Sequence, residues 1–168
     1  MPVKEVIQSQ YFASLAMLGE AVSQCPDDLW LDPEFKNRFW HIAYHTLFFS
    51  HLYLQDSEKD FVPWQKHRKE YQFLGPLPWP PHKEPDIGEP YTREDILEYL
   101  GFCRNEVKHK VASLDLDAVS GFHWLPFNKL ELQFYNIRHI QHHVGQLIDR
   151  LRNHEGIGVE WIGMKAKD

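Results

Sequence analysis

Arg138-His139-Ile140-Gln141-His142-His143-Val144-Gly145-Gln146-Leu147 lies inside a segment, residues 129–153, whose apolar positions recur at three- and four-residue steps: Leu132, Tyr135, Ile140, Val144, Leu147, Ile148 and Leu151. That period predicts an amphipathic helix. Four-residue spacing on a helix places His139 and His143 one above the other on a single face, close enough to share an ion. A helix that spends inward positions on histidine needs a compensating interaction, because a buried imidazole must find partners for its ring nitrogens.

Working outward, three more helical segments are legible. Residues 3–23 carry a stripe of Val6, Ile7, Phe12, Leu15, Leu18 and Val22. It ends at Cys25-Pro26, since the residue before proline avoids helical angles and proline has no N–H to donate. Residues 31–55 read as a second helix, with Asp32 as the N-cap and Pro33 at the first helical position. Phe35, Phe39, Trp40, Tyr44, Phe48, Phe49 and Tyr53 leave it apolar around most of its circumference, which predicts a central place. Thr92-Arg93-Glu94-Asp95 resembles a capping box and opens a third helix through about residue 114. Residues 116–128 form a shorter connector, and residues 156–168 a tail suited to a short extended piece or a dimer contact.

Between the second and third helices, residues 57–91 hold seven of the 11 prolines (Pro63, Pro76, Pro78, Pro80, Pro81, Pro85, Pro90) mixed with Phe61, Trp64, Tyr71, Phe73 and Trp79. A connector of this length inside a compact domain is usually functional. Its aromatics predict that it packs on something, as a lid or a subunit contact, and its reach allows the second and third helices to run parallel. The fold expected is therefore all-α: a single four-helix-bundle domain over residues 1–168 with a long crossover loop rich in proline and aromatics.

Composition narrows the function classes. With 168 residues, 43% hydrophobic and 14% aromatic, the chain can bury one core. A net charge of −6 with no sustained basic run argues against nucleic acid as a partner. No apolar stretch reaches membrane-spanning length, and the N-terminus lacks the apolar core of a signal peptide. The two cysteines, Cys25 and Cys103, make no disulfide framework and suit a reducing compartment, so a cytoplasmic location is expected.

Among the 11 histidines, His41/His45 and His139/His143 have helical i,i+4 spacing, and both pairs lie mid-helix among apolar residues. Bundles build metal sites at such positions. Neutral imidazoles ligate zinc, nickel or iron, and three of them hold an ion with a position left for water. The competing reading is two pairs of core histidines satisfied by ordinary hydrogen bonds. Clustering several buried imidazoles without an ion is the costlier arrangement.

Phe39-Trp40-His41-Ile42-Ala43-Tyr44-His45 and its aromatic continuation, with His139-x-x-x-His143-x-Gly145-Gln146, resemble the DinB-like superfamily of metalloenzymes. The resemblance covers the whole chain in outline. It implies an up-down-down-up bundle and a metal held by His41, His139 and His143. His45 is then a fourth ligand, a group bonded to a ligand, or a base acting on bound water. Gln146, one turn beyond His143, is placed either to bond a ligand imidazole or to serve as a plain surface or capping residue, and Gly145 to permit close helix approach. His142 is offset towards a neighbour or solvent. Arg38, Tyr135 and Asn136 lie within a turn of the ligands, where they are placed to orient a substrate or to serve structural roles, the structural ones being favoured. His51, His67, His82, His109, His123 and His154 share no spacing and read as surface or loop residues.

What the resemblance implies chemically is a metal-dependent enzyme acting on a small-molecule substrate, with the ion activating a low-molecular-weight thiol or water for transfer, isomerisation or hydrolysis. The alternative is a non-catalytic metal-binding or stress-associated homodimeric interaction protein. No separate nucleophile stands out in the sequence.

Overall fold

The computed structural model describes residues 2–164. Among them are five α-helices and no strand: α1 (Val3–Gln24), α2 (Asp27–Trp30), α3 (Phe39–Leu52), α4 (Arg93–Ser113) and α5 (Lys129–Glu155). No helix is long and apolar enough to cross a membrane.

Helix ends follow local chemistry in three of the four long helices. α1 stops at Cys25, whose extended angles (φ −67°, ψ 123°) are those that Pro26 demands. α4 opens on a complete capping box: the Thr92 hydroxyl accepts from the Asp95 N–H, and the Asp95 carboxylate accepts from the Thr92 N–H. α5 starts at Asn128, whose side chain accepts from the Glu131 N–H, and ends at Gly156 in the left-handed region (φ 68°), the conformation glycine adopts without penalty.

The second segment departs from expectation. Asp32 and Pro33 do not open a helix; the Asp32 carboxylate instead accepts from the Glu34 N–H at 2.9 Å, a local turn that competes with helix formation. The one-turn helix α2 precedes this turn, and α3 starts only at Phe39, with Arg38 extended at its N-cap and making no side-chain cap.

α1 packs against α4 and α5, and α3 packs against the same two, so α1 and α3 lie on opposite sides of the core. Individual contacts orient the helices. Lys4 reaches the Ala112 carbonyl and Gln8 the Lys108 carbonyl, joining the start of α1 to the end of α4. Asn136 donates to the Ser50 carbonyl and Arg150 to the Asn37 carbonyl, so α5 runs antiparallel to α3. Tyr44 lies beside Tyr99 and Leu47 accepts from Cys103, so α3 and α4 advance together.

The 57–91 connector is largely irregular, with one 3₁₀ turn (Glu58–Asp60), yet it is packed. Trp64, Tyr71, Leu77 and Tyr91 are buried. Trp64 stacks on Tyr99 with centroids 4.5 Å apart and planes 7° apart, and Tyr44 stacks on Tyr91 at 4.7 Å. Each such pair contributes about 0.5–1.5 kcal/mol beyond its buried area. Stacking therefore holds the connector against α3 and α4, and its backbone becomes part of the structure around the histidines.

A second anchor ties the connectors together. Lys129 is buried, and its ammonium donates to the Gln55 and Asp56 carbonyls at 2.8 and 2.7 Å. Gly121 (φ 87°) passes so close that a Cβ there would lie 2.0 Å from the Asp56 carbonyl oxygen. Residues 156–164 of the tail contain no helix or strand, and Gln10 donates to Gly163 there; residues 165–168 of the expected extended piece lie outside those described.

A three-histidine centre between α3 and α5

His139 and His143 project together from α5, as their spacing predicts, with ring centroids 4.6 Å apart. The residue that joins them from α3 is His45. His45 Nε2 lies 3.1 Å from His139 Nε2, and His143 Nε2 lies 3.1 Å from the same atom. These three are the buried or half-buried group among the described residues whose ligand atoms converge tightly enough for one ion. Asp28, His154 and Glu155 also cluster, but all are exposed, and His154 Nδ1 lies 2.8 Å from a Glu155 carboxylate oxygen.

His41, the α3 residue expected in the centre, lies one turn away with its Nε2 2.8 Å from the Tyr71 carbonyl oxygen. Helix register explains the difference. Ser50 and Asn136 are hydrogen-bonded neighbours across the antiparallel pair. At about 1.5 Å of rise per residue, His45 lies roughly 7.5 Å along α3 from that point, while His139 and His143 lie roughly 4.5 and 10.5 Å along α5. His45 is thus level with the gap between them. His41, roughly 13.5 Å along, is level with Gly145 instead.

Hydrogen bonds set which nitrogen of each ring carries its proton. His45 Nδ1 is 2.6 Å from the Gln72 carbonyl oxygen, an acceptor only, so Nδ1 bears the hydrogen and Nε2 presents a lone pair. His143 Nδ1 is 2.7 Å from Gln146 Oε1, with the same result. Two lone pairs therefore face His139 Nε2, which has at most one hydrogen to share between them. A cation satisfies all three nitrogens, whereas hydrogen bonding leaves at least one without a partner. Tetrahedral zinc with bonds of about 2.0–2.1 Å would hold its nitrogens about 3.3–3.4 Å apart, so the two pairs that share His139 Nε2, each 3.1 Å apart, need open by only a few tenths of an ångström. The donor set fits a borderline divalent ion. His139 Nδ1 is buried and has no hydrogen-bond partner among the described residues.

Electrostatics keep the centre neutral. Burial lowers the pKa of His45 well below its ordinary value, and the neighbouring His143 and His139 lower it further. Burial also brings His139 down to about 3 and lowers His143, while the Gln146 hydrogen bond partly offsets the effect on His143. All three rings are thus unprotonated at neutral pH, the form that ligates. The cysteines are the reverse. Burial raises Cys25 to about 12 and Cys103 well above its ordinary value, so neither supplies a thiolate.

The other expected residues fall into place around this centre. Of the two roles open to Gln146, it takes the bond to a cluster imidazole, although its side chain lies at an exposed position. Asn136 is structural, bonded to Ser50. Tyr135 packs on Tyr53 and Phe127, and Arg38 and His142 are exposed. Gly145 faces open space, with nothing within 4 Å of where a Cβ would lie, so close helix approach is not its role. His51 is not a surface residue: it is buried between Phe61 and Phe102, with Nδ1 3.2 Å from the Tyr99 hydroxyl. His67 is bonded to the Tyr44 hydroxyl at 2.6 Å. The role of Gln72 was not legible in the sequence, because it acts through its main-chain carbonyl, which any residue could provide.

The DinB superfamily family model matches residues 10–147, a span that takes in most of α1, the 57–91 connector and the whole histidine centre. No curated protein and no solved structure matches the chain.

Proposed function

Because the chain belongs to the DinB superfamily, we propose that His45, His139 and His143 hold one zinc, nickel or iron ion and that the protein is a metal-dependent enzyme acting on a small molecule. The observation that carries this reading is the convergence of three neutral imidazole nitrogens, two of them with their lone pairs fixed inward by Gln72 and Gln146. A bound divalent ion supplies Lewis-acid chemistry, bringing the pKa of a water or thiol ligand towards neutrality.

The chain's own residues bind and orient. Gln72 and Gln146 hold two of the rings in the ligating tautomer, as outer partners of metal ligands generally do. Three protein ligands with a fourth position open are the pattern of catalytic rather than structural zinc. His41 is engaged with Tyr71, and no fourth His, Cys, Asp or Glu joins the cluster among the described residues. With both cysteines held as thiols, neither is the nucleophile, which favours a low-molecular-weight thiol or water in that role. The helix pairings above support an up-down-down-up arrangement of α1, α3, α4 and α5, with the 57–91 connector as the crossover that lets α3 and α4 run parallel.

Cobalt(II) reconstitution tests the reading. Protein freed of metal by chelation should take up one equivalent and give the visible spectrum of a low-coordinate nitrogen site. Added 2-mercaptoethanol should then produce a thiolate-to-cobalt charge-transfer band. No uptake of cobalt or zinc would sink the metal reading; uptake with a spectrum insensitive to thiol and other small ligands would make the ion structural.

A further inference from the structure

Between the end of α3, the 57–91 connector and α4 lies a groove of about 560 Å³. Two polar residues of its lining, His51 and Gln55, are only 3% and 5% exposed. Side chains so deeply buried normally find partners for every donor and acceptor. Each of these two keeps one atom without a partner.

For His51 that atom is Nε2. Its Nδ1 lies 3.2 Å from the hydroxyl of Tyr99, which is fully buried and makes no other hydrogen bond among the described residues. The hydroxyl therefore donates, since its hydrogen has no other acceptor, and Nδ1 offers the lone pair. Burial keeps the ring neutral, so its one N–H is on Nε2. For Gln55 the atom is Oε1. Both hydrogens of its amide are used, one on the His51 carbonyl and one on Glu106 Oε2, each at 3.1 Å, which leaves Oε1 as a free acceptor. Neither His51 Nε2 nor Gln55 Oε1 is sealed from solvent, and both residues line the groove. The groove thus offers one fixed donor and one fixed acceptor to a molecule from outside.

Charge narrows the occupant. The lining holds the carboxylates of Asp60, Glu98 and Glu106 against one ammonium, Lys110. Lys66 answers Glu98 from outside the lining, but Glu106 makes no ion pair among the described residues, so the groove stays net negative. Such a site favours a cation and repels a carboxylate. Beside these groups Val62 and Phe102 expose apolar surface that a hydrocarbon part would cover.

We propose that this groove binds a small amino alcohol. The ammonium donates to Gln55 Oε1 and lies against the Glu106 carboxylate, the hydroxyl oxygen accepts from His51 Nε2–H, and the hydrocarbon part rests on Val62 and Phe102. The site is separate from the histidine centre. His51 is about 9 Å along α3 from His45 and meets Tyr99 and Phe102 of α4, whereas His45 meets α5.

The test is titration of the full chain by nuclear magnetic resonance, with zinc supplied and after chelation. The probes are leucinol, 3-methylbutylamine (leucinol without its hydroxymethyl group) and 4-methylpentan-1-ol (leucinol without its amine). Leucinol should bind about fivefold tighter than the amine and about tenfold tighter than the alcohol, the effects of one neutral and one charged hydrogen bond. Glu106→Gln, which keeps an acceptor for Gln55, should weaken leucinol and the amine at least about fivefold and leave the alcohol unchanged. His51→Phe keeps a ring between Phe61 and Phe102 but removes the donor, so leucinol should fall to the affinity of the amine. Two-bond proton–nitrogen spectra should show His51 protonated on Nε2, with that resonance moving as leucinol is added.

Equal binding of leucinol and the amine to the unaltered chain would overturn the proposal, as would unchanged leucinol affinity in Glu106→Gln. Both results are decisive even where His51→Phe fails to fold. Leucinol binding that appears only with zinc would put the amino alcohol on the histidine centre and overturn the proposal too. Binding that survives chelation supports the site whether or not His45, His139 and His143 hold an ion.

Discussion

Replacing His45 and His41 separately with alanine distinguishes the two α3 histidines on which the centre turns. His45 Nε2 lies 3.1 Å from His139 Nε2, whereas His41 Nε2 is taken by the Tyr71 carbonyl at 2.8 Å. Structural zinc sites with four protein ligands bind with roughly 10–16 kcal/mol, which apportions to about 2.5–4 kcal/mol per ligand. Loss of one of three ligands should therefore weaken zinc binding by at least about a hundredfold, allowing for water as a partial replacement. His41→Ala should change the affinity less than about tenfold, because it removes a neighbour and not a ligand. Competition against a chromophoric chelator at pH 7.5 reads both affinities, and circular dichroism confirms the helices. Since alanine at 45 also opens a cavity, His45→Asn should accompany it and show the same loss. Wild-type affinity in either His45 variant, or equal losses at 41 and 45 with helicity kept, would refute the assignment.

Three further outcomes are expected. Gln146→Leu frees the His143 tautomer and should cost about 10–100-fold in zinc affinity, with unaltered urea stability of the metal-free protein; an unchanged affinity in the same chelator competition would contradict its orienting role. Gly121→Ala places a Cβ 2.0 Å from the Asp56 carbonyl oxygen at a positive φ, so the connector must shift; a loss of about 2–4 kcal/mol in urea unfolding is expected, and a loss under 1 kcal/mol would mean the backbone there yields easily. His51, buried and lowered to about 4 by desolvation, favours the neutral form in the folded state. Its contribution is complete above pH 6.5 and is lost as pH falls from there towards 4, amounting to about 2 kcal/mol by pH 5. Metal-free protein should therefore lose more stability between pH 7 and pH 5 than His51→Gln does, and parallel pH profiles would show that His51 does not titrate in that window.

Much of this protein follows from its residues read in order. The capping box at Thr92, the Cys25-Pro26 stop and the i,i+4 pair on α5 depend on interactions within a few positions, and all three are found in the structure. Local reasoning failed where two local options competed. Asp32 closes a turn onto Glu34 instead of capping a helix, a choice the sequence leaves balanced because the same side chain serves both purposes. His51 looked peripheral because its burial depends on Phe61 and Phe102, which come from other parts of the chain.

The centre itself divides the same way. That α5 offers two imidazoles on one face was decided by helical periodicity. Which α3 histidine meets them was decided by tertiary structure alone: His41 and His45 share a face, and only the sliding register of α3 against α5, set where Asn136 meets Ser50, puts one level with the pair and leaves the other to Tyr71. The carbonyls of Tyr71 and Gln72 reach these rings because aromatic stacking draws a distant connector against α3. No spacing rule along the chain encodes that contact, since it depends on how far two packed surfaces slide before their side chains interlock.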